Sequence, residues 1–120
     1  LRVKKSKRLL LDIFEKLRLK KNKVIGYGAS AKAVTILNYC GITNKHIEYF
    51  LDTTPEKQNK ILPGTNILIK KYTSKSLSNI NYAFLGAWNF KNEIFKKENK
   101  YLKKGCKFIT HAPMPKIVGK

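Results

Sequence analysis

The strongest constraint on the fold is the segment Val24–Lys32, in which an apolar stretch runs into two closely spaced glycines. Gly26 and Gly28 have the spacing of the phosphate-binding G-x-G-x-x-G/A turn, and Ala31 takes its third small position. Ser30 is a residue type that commonly starts a helix. The segment therefore predicts a buried strand, a glycine turn and a helix, which together open an α/β fold that holds a nucleotide.

Strands and helices alternate along the rest of the chain. Strands are predicted at the apolar runs Val24–Tyr27, Ile47–Leu51, Ile67–Ile69, Tyr82–Leu85 and Lys107–Thr110. Helices are predicted over residues 3–20, Ser30–Tyr39 and Thr73–Leu77, and after Asn89. Because such alternation favours right-handed crossovers, we predict an α/β fold: a Rossmann-like, three-layer α/β/α domain with a parallel sheet of about five strands and an extra N-terminal helix.

A chain of 120 residues is short enough to form one domain. We expect a leading helix in residues 1–23, an α/β core in 24–110 and a tail in 111–120. The chain starts at Leu1 rather than Met, which indicates a domain excised from a larger protein. Because no apolar run approaches the roughly 20 residues that cross a bilayer and no signal peptide is visible, we expect a cytoplasmic protein without a membrane partner.

The net charge of +19 is concentrated in two segments that are predicted to be surface helices. Residues 1–23 contribute +8 and residues 91–107 contribute +5, while lysine outnumbers arginine 23 to 3. Arginine is favoured for bidentate contacts with phosphates and guanine, so this balance is more typical of compositional bias than of a nucleic-acid-binding protein. A solvated basic face is the preferred interpretation, and attraction to another anionic partner stays open.

Side chains suited to catalysis or metal binding are sparse in this sequence. Cys40 and Cys106 are far apart without the spacing of metal ligands, so free thiols are expected and no metal site is predicted. His111 follows the fifth strand, but it is a weak candidate for a general base because no acid or nucleophile accompanies it. We therefore predict no catalytic residue in this chain.

Candidate phosphate contacts lie at the carboxyl ends of the predicted strands, where open α/β sheets bind ligands. The first amides of the helix after Ser30 attract anions, and Lys32 adds a positive charge in the first turn. Lys57 follows the second strand and is suited to a diphosphate. The alternative is that the turn is simply made of small residues and that Ser30 only caps the helix.

Candidate sugar and base contacts follow the second and fourth strands. Asp52 lies 24 residues after Gly28, about where such folds place an acid on a ribose hydroxyl; alternatively, it bonds nearby amides. Trp88 is the only tryptophan and is suited to stacking on a base, although packing in the core or at a domain interface is the alternative. Asn89 contacts a hydroxyl or, in the preferred interpretation, caps the following helix.

A series of short motifs resembles one protein family. The motifs are Gly26-Tyr-Gly-Ala-Ser-Ala-Lys32, Leu37-Asn-Tyr-Cys-Gly41, Asp52, Pro55, Lys57-Gln58, Leu62-Pro-Gly-Thr65, Ile67-Leu-Ile69, Trp88-Asn89 and Glu93. In this order they resemble the C-terminal domain of sugar C-methyltransferases over essentially the whole chain. Departures occur at Asn81-Tyr82, where the family often has Pro-Asp, and at Thr110–Pro113; they bear on ligand contacts rather than on the fold.

The resemblance implies the substrate-binding C-terminal domain of an S-adenosylmethionine-dependent enzyme that methylates a carbon of a nucleotide-linked deoxysugar. It places the S-adenosylmethionine pocket and the acid/base residues on a central domain, so this domain binds no cofactor, and its partners are the nucleotide-linked sugar and that central domain. The substrate-facing residues are then Gly26, Tyr27, Gly28, Ala29, Ser30, Lys32, Asp52, Lys57, Trp88 and Asn89. A stand-alone nucleotide- or dinucleotide-binding module is the alternative function, and a homo-oligomer stays open.

Overall fold

The computed structural model describes the backbone of residues 2–112 and 114–119 and the side chains of residues 4–112 and 114–119. Leu1, at the start of the predicted leading helix, and Pro113, in the predicted tail, lie outside the described residues. Helices α1 to α4 are Arg2–Leu19, Ala31–Cys40, Lys91–Lys97 and Asn99–Lys103. Strands β1 to β7 are Val24–Tyr27, Tyr49–Asp52, Ile61–Leu62, Ile67–Lys71, Tyr82–Leu85, Lys107–Thr110 and Lys116–Val118. Within this part of the chain, no helix is both long and apolar enough to cross a membrane.

The seven strands form one sheet in the order β3-β4-β2-β1-β5-β6-β7. The five central strands are parallel, and in their register Gly26 of β1 lies opposite Phe50 of β2 and Phe84 of β5. The strands at the two edges are antiparallel to their neighbours. The predicted α/β class is therefore confirmed, whereas the prediction of a purely parallel sheet of about five strands is wrong.

Chain reversals create both antiparallel edges. After β3 the chain turns through Gly64 and Asn66, which both have positive φ, and β4 then pairs back onto β3. β7 lies within residues 111–120, which were expected to form a tail. Its β-branched Ile117 and Val118 extend the sheet along β6, whose outer hydrogen-bonding groups would otherwise be unpaired.

Helices cover both faces of the sheet and give the molecule three layers. One face is covered by α1 and α2 through the buried residues Leu10, Phe14, Leu17, Ala33 and Leu37. The other face is covered by α3, α4 and the loop before β5 through Leu77, Ile80, Ile94, Tyr101 and Leu102. Side chains of the strands alternate between the two cores, as Val24 and Ile25 of β1 show.

The predicted helix at Thr73–Leu77 is absent, and residues 74–79 form turns instead. The Thr73 amide donates a hydrogen bond of 2.7 Å to Ser76 Oγ, and such local bonds to side chains compete with the helical pattern. Asn79 then takes a positive φ of 63°, which ends any helical continuation. The apolar residues of this loop still pack into the core, because Leu77 is only 2% exposed.

The last predicted helix is divided into α3 and α4 at Glu98, whose side chain is buried. A short 3-10 helix over Trp88–Phe90 precedes α3. Asn89 lies inside this 3-10 helix, and the cap position of α3 falls on Phe90, which makes no side-chain capping bond. The prediction that Asn89 caps the helix is therefore wrong, because the 3-10 turn moves the helix start along the chain.

Candidate functional site

The glycine turn after β1 is held between the carboxyl ends of β2 and β5. The Gly28 amide donates to the Leu51 carbonyl at 2.9 Å, and the Gly86 amide donates to the Tyr27 carbonyl at 2.8 Å. Gly28 has a φ of +90°, and a β-carbon there would lie 2.8 Å from Ala87 Cβ. Both the backbone conformation and the close approach of β5 therefore require glycine at this position.

Gly26 has a different reason to be glycine. It lies inside β1 and is buried. A β-carbon at Gly26 would come within 2.5 Å of ring atoms of Phe50. Because the Phe50 ring fills the space that a side chain would need, the first glycine of the motif serves packing between β1 and β2.

Ser30 uses both hydrogen-bonding functions of its hydroxyl within the protein. Its Oγ accepts from the Ala33 amide at 3.1 Å, which caps α2, and donates to the Gly86 carbonyl at 2.9 Å. The capping interpretation of Ser30 is therefore confirmed. Lys32, in the first turn of the same helix, is exposed and lines a separate cavity between α1 and α2.

Asp52 and Lys57 hold the glycine turn from the side of β2. Asp52 Oδ2 accepts from the Ala29 amide at 2.8 Å, and Oδ1 accepts from the Thr54 amide at 2.8 Å. Lys57 Nζ donates to the Ala29 carbonyl at 2.9 Å. Partial burial by itself raises the pKa of Asp52, but the bonds from Thr54 and Ala29, together with the nearby Lys57 charge, outweigh burial and lower it.

A cavity of about 390 Å³ lies at the carboxyl ends of β1, β2, β4 and β5, and we name it the carboxyl-edge cleft. It is lined by Tyr27, Gly28, Leu51, Asp52, Thr53, Thr54, Tyr72, Ala87, Phe90, Ile94 and Lys97. Three of the predicted site residues, Tyr27, Gly28 and Asp52, therefore meet in one cleft. The other predicted residues lie outside its lining, namely Gly26, Ala29, Ser30, Lys32, Lys57, Trp88 and Asn89.

Several of the remaining predicted residues line two neighbouring cavities. Lys32 and His111 line a cavity of about 500 Å³ between α1, α2 and Pro115. Ala29 and Lys57 line one of about 340 Å³ beside β3. The predicted residues are thus divided around the glycine turn, and the carboxyl-edge cleft is the cavity that combines the turn with the Asp52 carboxylate.

Trp88 packs beside β6. Its ring meets the ring of His111 edge to face at 6.1 Å, and His111 also stacks against Phe84 at 5.7 Å. His111 is buried, and its Nε2 has no hydrogen-bond partner among the described residues. Burial, with a smaller contribution from the Lys32 charge, lowers the pKa of His111 to about 4, so the imidazole is neutral at neutral pH.

The sequence did not reveal the hydrogen-bonded cluster around Glu98, which contributes two tyrosines to the lining of the cleft. The hydroxyls of Tyr27 and Tyr72 each donate to Glu98 Oε2 at 2.5 Å, and Glu98 is only 2% exposed. Burial and the Glu98 carboxylate raise the pKa of Tyr27 and raise that of Tyr72 to about 12. Tyr72 directly follows β4. Open α/β sheets bind ligands at the carboxyl ends of their strands, and this reasoning, which identified Asp52, could also have identified Tyr72.

The sequence was also compared with known proteins. Residues 1–113 match the family described as the C-methyltransferase C-terminal domain. The chain is 38% identical over 95 residues to the C-methyltransferase NovU of Streptomyces niveus, in a match that covers 79% of this chain and 23% of that protein. The chain thus spans less than a quarter of the length of this curated relative. The protein belongs to the C-methyltransferase C-terminal domain family.

Proposed function

We propose that this chain is the substrate-holding part of an S-adenosylmethionine-dependent C-methyltransferase that acts on a nucleotide-linked deoxysugar or a related metabolite. Family membership supports the methyltransferase assignment. The observation that carries the substrate-holding role is the position of Asp52 in the carboxyl-edge cleft. The proposed partners are the nucleotide-linked sugar and a central methyl-donor domain of the same enzyme.

Asp52 is suited to binding hydroxyl groups of a sugar or ribose. Each of its carboxylate oxygens accepts one backbone amide, which leaves part of the acceptor capacity of the carboxylate for a ligand. Its lowered pKa keeps it ionised at neutral pH. Phe90 and Ile94 supply apolar surface in the same cleft, as expected for a site that holds a ring.

The methyl donor is proposed to bind on the central domain. At the glycine turn of this chain, the Phe50 ring fills the space over Gly26, and a β-carbon at Gly28 would meet Ala87, so packing within the protein accounts for both glycines. His111 lies outside the lining of the carboxyl-edge cleft and does not act there as a base. The role proposed for this chain is therefore to bind and orient the substrate, and we expect no methyl transfer by the chain alone.

Calorimetric and thermal-shift titrations with thymidine diphosphate (TDP), a TDP-deoxysugar, NAD and S-adenosylmethionine test this proposal. We expect the TDP compounds to bind and to raise the melting temperature by mass action. Phe90→Ala should weaken their binding about fivefold because the cleft loses an aromatic contact. Phe90 is 59% exposed, so this variant should remain folded.

The matched control is Tyr39→Ala, since Tyr39 is an aromatic residue that is 46% exposed and lies outside the cleft. Its affinity for the TDP compounds should equal that of the unchanged chain. Binding of NAD without binding of TDP compounds would favour a dinucleotide-binding module instead. Methyl transfer by the isolated chain would contradict the proposed division of labour.

A further inference from the structure

Two charged side chains of opposite sign line the carboxyl-edge cleft. Asp52 offers a carboxylate that accepts hydrogen bonds. Lys97 is the last residue of α3, and its Nζ is 4.3 Å from the centre of the Tyr72 ring. Within the described part of the chain, Lys97 forms no ion pair. The cleft therefore combines an acceptor for hydroxyl groups with an ammonium group that forms no direct ion pair among the described residues.

The position of the Lys97 ammonium depends on a fixed aromatic ring. The Tyr72 hydroxyl is bonded to the buried Glu98, and its ring meets the Tyr27 ring edge to face at 5.6 Å. A cation over an aromatic face keeps its N–H groups available, because the ring attracts the charge without accepting all the donors. Tyr72 thus holds the ammonium at the cleft and leaves it able to donate to an anion.

The other candidate cations near the glycine turn are less suited to a ligand in this cleft. Lys57 donates to the Ala29 carbonyl at 2.9 Å, and Lys32 lines the cavity on the other side of the turn. Among the residues that line the cleft, the cationic side chain is that of Lys97. A phosphate group bound in the cleft would therefore be neutralised from α3 and not from the start of α2.

We propose that Lys97 forms an anion subsite of the carboxyl-edge cleft, which binds the phosphate groups of a nucleoside diphosphate while Asp52 binds hydroxyl groups of the same ligand. This inference rests on the proposed function for the identity of the ligand. Tyr72 and Glu98 act as positioning residues, because they reach the anion only through the placement of Lys97.

Calorimetric titrations of Lys97→Gln with TDP, thymidine and pyrophosphate test the subsite. Loss of one charge-assisted contact should weaken TDP binding by about tenfold or more, while thymidine binding stays unchanged. Pyrophosphate binding should fall with that of TDP. Lys97→Arg should retain most of the TDP affinity because it keeps a cation at this position.

Lys96→Gln provides the matched control, since Lys96 is the preceding exposed lysine of α3 and does not line the cleft. It should bind all three probes like the unchanged chain. Equal TDP affinity for Lys97→Gln and Lys96→Gln would overturn the subsite and leave the proposed function standing. Lys97-dependent binding of pyrophosphate without TDP binding would support the subsite and overturn the nucleotide-linked substrate. Failure of the unchanged chain to bind TDP and pyrophosphate would overturn the subsite.

Discussion

The glycine turn of residues 28–30 and the group of Tyr27, Tyr72, Glu98 and Lys97, which we name the tyrosine wall, both border the carboxyl-edge cleft and differ in how their polar groups are used. In the turn, Ala29 donates to Asp52 and accepts from Lys57, while Ser30 is bonded to Ala33 and Gly86. On the wall, a buried carboxylate fixes two tyrosines, and a lysine lies over one of the rings. The recognisable motif thus stabilises the backbone, whereas Lys97, which forms no ion pair with any described residue, lies in a segment without a motif. A glycine motif can therefore predict the fold of a turn more reliably than it predicts which residues contact a ligand.

The largest effect is expected on the tyrosine wall, from Glu98→Ala. The change leaves the hydroxyls of Tyr27 and Tyr72 without their acceptor on Glu98. A buried hydroxyl without a partner costs about 1–3 kcal/mol, and Tyr27 is buried while Tyr72 is half-buried, so we expect the free energy of unfolding to fall by about 3 kcal/mol. Urea unfolding monitored by circular dichroism measures this loss.

Two further variants distinguish the loss of the hydrogen bonds to Glu98 from a non-specific effect of replacing a glutamate in this region. Glu93→Ala removes an exposed carboxylate from α3, the helix that ends just before Glu98, and should change the free energy of unfolding by less than about 0.5 kcal/mol. The triple variant Tyr27→Phe/Tyr72→Phe/Glu98→Leu removes donors and acceptor together and should recover most of the lost stability. If the triple variant is as unstable as Glu98→Ala, the cluster does not act as a hydrogen-bonded unit.

The next effect concerns the packing role assigned to the glycine turn, tested by Gly26→Ala. The new methyl group would overlap the Phe50 ring, and overpacking of a core costs about 1–3 kcal/mol. We expect a loss of about 2 kcal/mol in thermal or urea unfolding, and a smaller loss when Phe50 is also changed to Leu. A Gly26→Ala variant of unchanged stability that no longer binds TDP would reverse the assignment, since it would make Gly26 a ligand contact.

A smaller effect is expected from Ser30→Ala, which removes the cap of α2 and the bond to Gly86. Loss of such a cap costs about 1–2 kcal/mol, whereas TDP affinity should stay unchanged because the hydroxyl faces the protein. Thr35→Ala is the matched control, since it removes an exposed hydroxyl from the same helix. A drop in TDP affinity with little loss of stability would instead identify Ser30 as a ligand contact. The contrast between the glycine turn and the tyrosine wall would then be weaker.

Much of the fold could be predicted because its signals are local. The apolar run before Gly28, the cap at Ser30 and the position of Asp52 are all encoded within short segments, and each lies where the pattern indicated. The antiparallel edges could not be predicted in this way. The pairing of Thr110 with Lys116 depends on which strand lies beside β6, and that is a property of the assembled sheet.

The candidate site was predicted only in part for the same physical reason. The sequence shows that Ser30 can cap a helix, but the bond to the Gly86 carbonyl, 56 residues away, exists only after β5 has packed beside β1. Glu98 lies in a lysine-rich stretch that is typical of an exposed helix, and its burial follows from two tyrosines on distant strand ends. Long-range partners decided which polar side chains remain available to a ligand.

A last effect, on the pH dependence of stability, is expected from acidification, which tests a third region of the same sheet edge, at His111. The pKa of this buried imidazole is about 4, below the value of 6.5 for a free side chain, so the unfolded chain binds more protons between these values. The contribution of His111 to stability is therefore complete above pH 6.5 and is lost as pH falls towards 4. Glu15 and Asp52 have lowered pKa values and add their own losses only at more acidic pH, near and below 4.5. The free energy of unfolding of the unchanged chain should therefore fall relative to that of His111→Phe, which keeps an aromatic ring beside Phe84, as pH is lowered from 6.5 to 4.5. Parallel stability curves over that range would show that His111 is protonated as easily in the folded protein as in the unfolded chain.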